Sequence, residues 1–156
     1  MFLTLGVYFF LAVAPFAAPL AGPAKAALTA PVSSDTLTAP VAAAAMARGD
    51  ILLVDVRSRR EWQETGLAEG AQPVTIHNRN GIKAFIAEMT RAVGGDKTRP
   101  VALICASGVR SLRAQRILRA NGFTHVQNVS EGMLGLPGTG PGWLKRGLPV
   151  TPCPEC

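Results

Sequence analysis

Cys105 and Arg110 are the two residues whose types and spacing point most directly to chemistry. The cysteine follows an apolar run at residues 101–104, and four residues, one of them Gly108, separate it from the arginine. A helix-like segment begins at Ser111. A loop of this length can direct its backbone N–H groups at the cysteine sulfur, and the N-terminus of the following helix adds partial positive charge there. Both effects favour the thiolate, which is the nucleophilic form of cysteine.

The three cysteines divide into one isolated residue and one pair. Cys153 and Cys156 form a Cys-x-x-Cys sequence in the last residues printed, whereas Cys105 stands alone. In an oxidising compartment, an odd cysteine predicts a free reactive thiol. The pair is either a disulfide or a dithiol that resolves an intermediate on Cys105. Two cysteines give only part of the four-ligand set of a structural zinc ion, so we predict no metal and no other cofactor.

Alternating strands and helices must position these residues. Short apolar runs predict strands at residues 51–55, 74–76, 101–104 and 125–129. Helical patterns occupy residues 40–47, 59–65, 82–93, 111–120 and 143–146. This alternation predicts an α/β fold with a mostly parallel sheet flanked by helices. Ligands bind outside the carboxyl ends of such strands, so we expect Asp55, Cys105 and Glu131, which lie at or just past those ends, to share a crevice.

The first 26 residues are interpreted as a secretory signal peptide. Residues 1–20 contain no charged side chain, and residues 24–26 form a small-x-small cleavage site. We therefore expect a periplasmic or secreted protein with no membrane span after cleavage. The alternative is a membrane anchor formed by residues 1–20, although two prolines interrupt that apolar run. Residues 27–36 are predicted to be a flexible lead-in.

The composition is typical of one globular domain with a basic surface. The chain has 156 residues, of which 48% are apolar and 17% charged, and its net charge is +6. A moderately basic exported domain favours small anions or an acidic partner face. The arginines are scattered without interleaved aromatic residues, so nucleic-acid binding is not predicted.

Several motifs, in order along residues 37–150, resemble those of single-domain rhodaneses. They are Asp55-Val56-Arg57 with Glu61-Trp62, Gly70-Ala71, the loop Cys105-Ala106-Ser107-Gly108-Val109-Arg110-Ser111, Gly122-Phe123 with Val126 and Asn128-Val129, and Glu131-Gly132 with Trp143 and Gly147-Leu148-Pro149-Val150. The resemblance implies a five-stranded parallel rhodanese-like domain over residues 37–150, followed by a Cys-x-x-Cys tail at residues 151–156. It also implies that Cys105 is the sulfur carrier and that Ala106, Ser107, Gly108, Val109 and Arg110 form the loop that cradles the sulfur.

The resemblance further implies a sulfurtransferase. The Cys105 thiolate would take a sulfur from a small anionic donor such as thiosulfate and pass it, as a persulfide, to cyanide, a thiol or a protein acceptor. Arg110 would either hold the donor or pin the loop by pairing with a neighbouring carboxylate. Asp55 and Arg57 would brace the site from an adjacent strand end, with Ser111 as a further supporting residue.

Two other functions stay open. Cysteine-dependent phosphatases and arsenate reductases also use a Cys-to-Arg anion loop, but the phosphatase loop has one more residue between the two ends. The other alternative is a non-enzymatic exported module that binds a partner or relays sulfur or redox state, for which the Cys153 and Cys156 pair is suited. Neither His77 nor His125 is close to the loop in sequence, and each is predicted to be packed or solvated rather than a catalytic base.

Overall fold

The computed structural model describes residues 34–156. Its strands are β1 (Thr36–Leu37), β2 (Leu52–Asp55), β3 (Leu67–Ala68), β4 (Gln72–Pro73), β5 (Val101–Ile104), β6 (Val126–Val129) and β7 (Val150–Thr151). Its helices are α1 (Ala39–Ala47), α2 (Arg59–Thr65), α3 (Gly81–Ala92), α4 (Val109–Ala120) and α5 (Gly142–Lys145). The predicted helices are all present, with small differences at their ends.

Five of the strands form one parallel sheet in the order β1-β6-β5-β2-β4. β5 lies in its centre, and Leu103 is in register with Val54 of β2 and with Asn128 of β6. All four residues of β5 are buried, because helices cover both faces of the sheet, and a strand buried on both faces has a continuous apolar sequence. The predicted α/β fold with a five-stranded parallel sheet is confirmed.

Two apolar layers enclose this sheet. Successive side chains of a strand point to opposite faces, so Leu103 packs in the layer that contains Phe85 of α3, whereas Ile104 packs in the layer that contains Trp143 of α5. The helices α3, α4 and α5 each contribute buried side chains to these layers. Packing on both faces therefore fixes the carboxyl end of β5, and with it the position of Cys105.

The short strands at the edges are not predicted by the sequence. β1 pairs with β6, and the Asn128 N–H donates to the Asp35 carbonyl at 2.9 Å, so the end of the predicted lead-in at residues 27–36 is joined to the sheet. β3 and β7 form a separate antiparallel pair, with Leu67 opposite Thr151. Elements of two residues are too short to show a hydrophobic period, and only tertiary pairing defines them.

The strand expected at residues 74–76 is wrong in its bounds. The paired residues belong to β4, and residues 74–76 follow it as irregular backbone. The N–H groups of Val74 and Ile76 still donate to the carbonyls of Asp55 and Val56, at 3.0 and 3.2 Å. Both side chains are buried against the layer of α3, so the apolar pattern reflects packing without regular strand pairing.

The predicted signal peptide, residues 1–26, lies outside the described residues. Most of the predicted lead-in lies outside them as well. Within residues 34–156, no helix has the length and apolar character needed to cross a bilayer.

Candidate active site

Cys105 lies between β5 and the loop that leads into α4. Its side chain is fully buried, and it forms no disulfide. The Ser111 hydroxyl donates a hydrogen bond to the Cys105 sulfur at 3.2 Å, which places the first turn of α4 against that atom. The helix begins at Val109, two residues before the predicted start. A donated hydrogen bond and the positive end of a helix dipole both stabilise negative charge on sulfur.

Two glycines allow the loop to pack tightly against the segment that follows β6. Gly108 has a φ of +82°, and a Cβ added there would lie 2.1 Å from the Ser130 carbonyl oxygen. A Cβ added at Gly132 would lie 2.5 Å from the Ala106 carbonyl group. The Leu134 N–H donates to the Ala106 carbonyl at 2.8 Å. The segment after β6 therefore packs against the loop through backbone contacts that leave no room for a side chain at Gly108 or Gly132.

Arg110, at the other end of the loop, is paired with Glu61 of α2. Its Nη1 and Nη2 atoms donate to the two oxygens of Glu61 at 2.7 and 2.5 Å, in a bidentate arrangement. The side chains are 28% and 27% exposed. Of the two roles predicted for Arg110, pairing with a neighbouring carboxylate is the one present in the structure.

The same glutamate also begins α2. Glu61 accepts hydrogen bonds from the Ser58 N–H and hydroxyl at 3.0 and 2.7 Å, and Ser58 caps the helix in return. The hydrogen bonds from Arg110, and secondarily those from Ser58, lower the pKa of Glu61 from 4.5 to about 2. The reciprocal hydrogen bond from Arg110 to Glu61, together with the charge of Glu61, raises the pKa of Arg110. The loop thus ends in an ion pair that is charged at neutral pH.

His77 lies beside this ion pair, which sequence reasoning did not reveal. Its Nε2 is 3.2 Å from Arg110 Nη1. A guanidinium can only donate, so Nε2 is the acceptor in this contact. The side chain is exposed, as predicted, but it adjoins the loop because it follows β4 at the carboxyl edge of the sheet. Its position shortly after a strand is the one feature of the sequence that could have indicated this contact.

Asp55 and Arg57 form a buried pair behind the loop. Asp55 is fully buried, and its oxygens accept from the Arg57 N–H, Nε and Nη2 at 2.7–3.0 Å. Arg57 also donates to the Thr65 hydroxyl at 2.7 Å and to the Gly66 carbonyl at 2.6 Å. This network joins the end of β2 to the end of α2, and so it positions the helix that provides Glu61.

The crevice predicted for Asp55, Cys105 and Glu131 is wrong for the two carboxylates. Glu131 is buried and accepts from Arg146 Nε and Nη2 at 2.6 and 3.0 Å. Asp55 is engaged by its own arginine, as described above. Each carboxylate follows a strand end as expected, but a buried charge requires a partner, and both side chains are oriented towards arginines.

Cys153 and Cys156 form a disulfide, with their Cα atoms 5.3 Å apart. The tail lies along α2, where Arg59 donates to the Cys156 main-chain oxygen at 2.6 Å and Gln63 donates to the Pro154 carbonyl at 3.4 Å. Of the two alternatives predicted for this pair, a disulfide or a resolving dithiol, the structure therefore contains the disulfide. Over residues 34–156, no cluster of three or more His, Cys, Asp or Glu residues is arranged to hold a metal ion.

The fold and the loop together define a class: α/β domains in which a buried cysteine opens a Cys-to-Arg loop at the carboxyl end of the central strand. Within that class, the rhodanese-like domain matches residues 38–136, and the chain belongs to the rhodanese-like family. Membership supports a sulfurtransferase-type activity at the level of the family.

Individual proteins are similar to this chain in fold or in sequence. The rhodanese-like domain of Anabaena sp Alr3790 superposes with a TM-score of 0.61 at 21% identity, over 78% of this chain and 82% of that one. The polysulfide-sulfur transferase homodimer of Wolinella succinogenes gives a TM-score of 0.55 at 25% identity, over 74% and 77% of the two chains. An uncharacterized protein of Rickettsia conorii is 28% identical over 105 residues, which is 62% of this chain and 80% of the relative.

Proposed function

We propose that the protein is a sulfurtransferase that moves a sulfane sulfur from an anionic donor such as thiosulfate to a thiophilic acceptor through a persulfide on Cys105. One contact supports this most directly: the Ser111 hydroxyl donates to the Cys105 sulfur at the N-terminus of α4. The Wolinella protein, at 25% identity, is by name a polysulfide-sulfur transferase, which also supports the proposal.

The loading step follows from the charges around the sulfur. The Cys105 thiolate attacks the outer sulfur of thiosulfate, a new S–S bond forms, and the S–S bond of thiosulfate breaks with its electron pair leaving on sulfite. No separate base is needed when the sulfur enters as a thiolate. Arg110 attracts the anion to the mouth of the loop, while Glu61 keeps the guanidinium in place.

The acceptor completes the cycle. A nucleophile attacks the outer sulfur of the persulfide, and the Cys105 thiolate leaves. The loop is suited to this exchange because the developing negative charge returns to a sulfur that already has a hydrogen-bond donor and a helix N-terminus beside it.

Intact-mass analysis tests the proposal. Protein incubated with thiosulfate should gain one sulfur atom, and cyanide should remove it, whereas Cys105→Ser should gain none. The matched control is the double variant Cys153→Ser/Cys156→Ser, which retains Cys105; equal loading and discharge in this variant would exclude a resolving role for the pair. Absence of a sulfur adduct on the folded wild-type protein would overturn the proposal.

We also propose that the mature protein is exported. Support comes from the charge-free segment and the small-x-small site at residues 24–26. A disulfide beside one free cysteine is also typical of an oxidising compartment. The mass of the protein recovered from the periplasmic fraction should correspond to a chain that begins at Ala27. Recovery of the full-length chain in the membrane fraction would instead support the anchor alternative.

A further inference from the structure

The disulfide between Cys153 and Cys156 joins no two separate elements of the fold. Both cysteines follow β7 in the tail at residues 151–156, and only two residues lie between them. In the chain-entropy account, a disulfide stabilises a protein by closing a loop in the unfolded chain, and the effect falls as the loop shortens. The pair is therefore a weak structural cross-link, and its position indicates a different role.

The pair is accessible to a thiol from solution. Both cysteines are partly exposed, and the two residues between them, Pro154 and Glu155, are exposed. Cys105, by contrast, is fully buried. Thiol–disulfide exchange begins when a thiolate attacks one sulfur of a disulfide, so access of this kind is its first requirement. The Cys-x-x-Cys spacing is also typical of redox-active disulfides.

The oxidised tail is docked on α2 by two side chains. The Cys156 N–H donates to the Cys153 carbonyl at 3.2 Å, so this part of the tail forms a tight turn. Arg59 donates to the main-chain oxygen of Cys156 at 2.6 Å. Gln63 donates to the Pro154 carbonyl at 3.4 Å. Because both acceptors lie within the turn that the disulfide closes, docking on α2 and oxidation of the pair are thermodynamically linked.

We propose that Cys153 and Cys156 form a redox-active pair that exchanges with external dithiols, and that docking on α2 favours its oxidised form. A thiolate of the dithiol attacks one sulfur of the pair, a new S–S bond forms, and the bond within the pair breaks with its electron pair on the other cysteine. The second thiolate of the dithiol then attacks the mixed disulfide and closes the oxidised dithiol. The two protons of the dithiol end on Cys153 and Cys156, which are reduced while the dithiol is oxidised. The exchange does not involve Cys105 and is independent of the proposed sulfur transfer.

Equilibration with dithiothreitol tests the exchange. The protein is held in mixtures of reduced and oxidised dithiothreitol, quenched with acid, freed of dithiothreitol, alkylated in denaturant and weighed. An oxidised pair leaves one alkylated cysteine, Cys105, whereas a reduced pair leaves three. Because the disulfide closes so short a loop, we expect half reduction when reduced dithiothreitol is the minor component, with an unchanged circular dichroism spectrum and the same equilibrium constant in Cys105→Ser. Half reduction that requires an excess of reduced dithiothreitol, or loss of the fold, would overturn the proposal.

Arg59→Gln tests the link to α2. Loss of one exposed hydrogen bond to the oxidised tail should raise the equilibrium constant for reduction roughly fivefold. Arg60→Gln is the matched control, because Arg60 carries the same charge in the same turn of α2 but pairs with Glu64 at 2.7 Å. Its equilibrium constant should equal that of the wild type. Equal constants in the two variants would refute the stabilising effect of docking.

Side-chain amide resonances report undocking directly. Reduction should shift those of Gln63 and leave in place those of Gln115, which donates to the Val126 carbonyl at 2.8 Å. Unmoved Gln63 resonances in the reduced protein would refute the docking link. Sulfur loading of Cys105 is measured separately. Normal loading beside an inert pair would refute this inference alone, and a redox-active pair without loading would refute only the proposed sulfur transfer.

Discussion

Replacement of Gly108 by alanine tests the loop geometry most directly. A residue other than glycine adopts the left-handed conformation at a cost of about 1–2 kcal/mol, and Gly108 has a φ of +82°. The added Cβ would also lie 2.1 Å from the Ser130 carbonyl oxygen, where real Cβ contacts essentially never fall under 3.0 Å. Either the loop or the Ser130 backbone must therefore move by the better part of an ångström.

Gly95→Ala is the matched control. Gly95 has a φ of +86°, and a Cβ added there meets no atom within 4 Å. The control should therefore lose only the conformational term of about 1–2 kcal/mol from the free energy of unfolding. Gly108→Ala adds an overpacking term of about 1–3 kcal/mol, so we expect its total loss to be about 2–5 kcal/mol.

Urea unfolding, followed by circular dichroism, measures both losses. Intact mass after incubation with thiosulfate measures sulfur loading on the same samples. Because the displaced loop no longer holds Cys105 against Ser111, loading should fall in Gly108→Ala and stay normal in Gly95→Ala. Equal destabilisation of the two variants would refute the close packing of the loop on Ser130. Normal loading of a folded Gly108→Ala protein would refute the need for this loop conformation.

Two further predictions concern charged side chains. The pKa of Glu61 is lowered from 4.5 to about 2. Its ion pair with Arg110 therefore stabilises the fold fully above about pH 4.5 and loses that effect as the pH falls towards 2. Glu61→Gln should lower the free energy of unfolding at pH 7 by about 1 kcal/mol, because solvent screens the pair. In urea unfolding, the difference in free energy of unfolding between wild type and Glu61→Gln should be smaller at pH 3 than at pH 7. A difference that does not change with pH would contradict the stabilising role of the ionised Glu61. Asp55→Ala leaves Arg57 buried without its anion, so it should lower the free energy of unfolding by about 3–5 kcal/mol; a loss under 1 kcal/mol would show that water reaches the pair.

The sequence predicts the cysteine loop well because its features are contiguous. A strand, a loop and a helix N-terminus follow one another from residue 101 onward, and local spacing is enough to place Cys105 against the helix. The predicted start of α4 is late by two residues, Val109 and Arg110, since the preceding Gly108 has no helical signature. The central strands β2, β5 and β6 are equally predictable, because they follow from the order of the apolar runs, whereas the edge strands β1 and β4 are not.

The partners of the loop could not be predicted in the same way. Glu61 is 49 positions from Arg110, and His77 is 33 positions from it. Only the sheet order, in which β2 lies between β5 and β4, places them together. For Asp55 and Glu131, the sequence gives the strand end but not the orientation of the side chain, which depends on the arginine that neutralises each of them.

The double role of Glu61 links local helix stability to the state of the loop. One carboxylate accepts both from the Ser58 cap of α2 and from Arg110. If the anionic donor proposed above draws Arg110 away from Glu61, the cap is left with a freer acceptor, and occupancy of the loop would be thermodynamically coupled to opening of the first helical turn. Amide hydrogen exchange in the first turn of α2 would then report anion binding at a site on a different element of the fold.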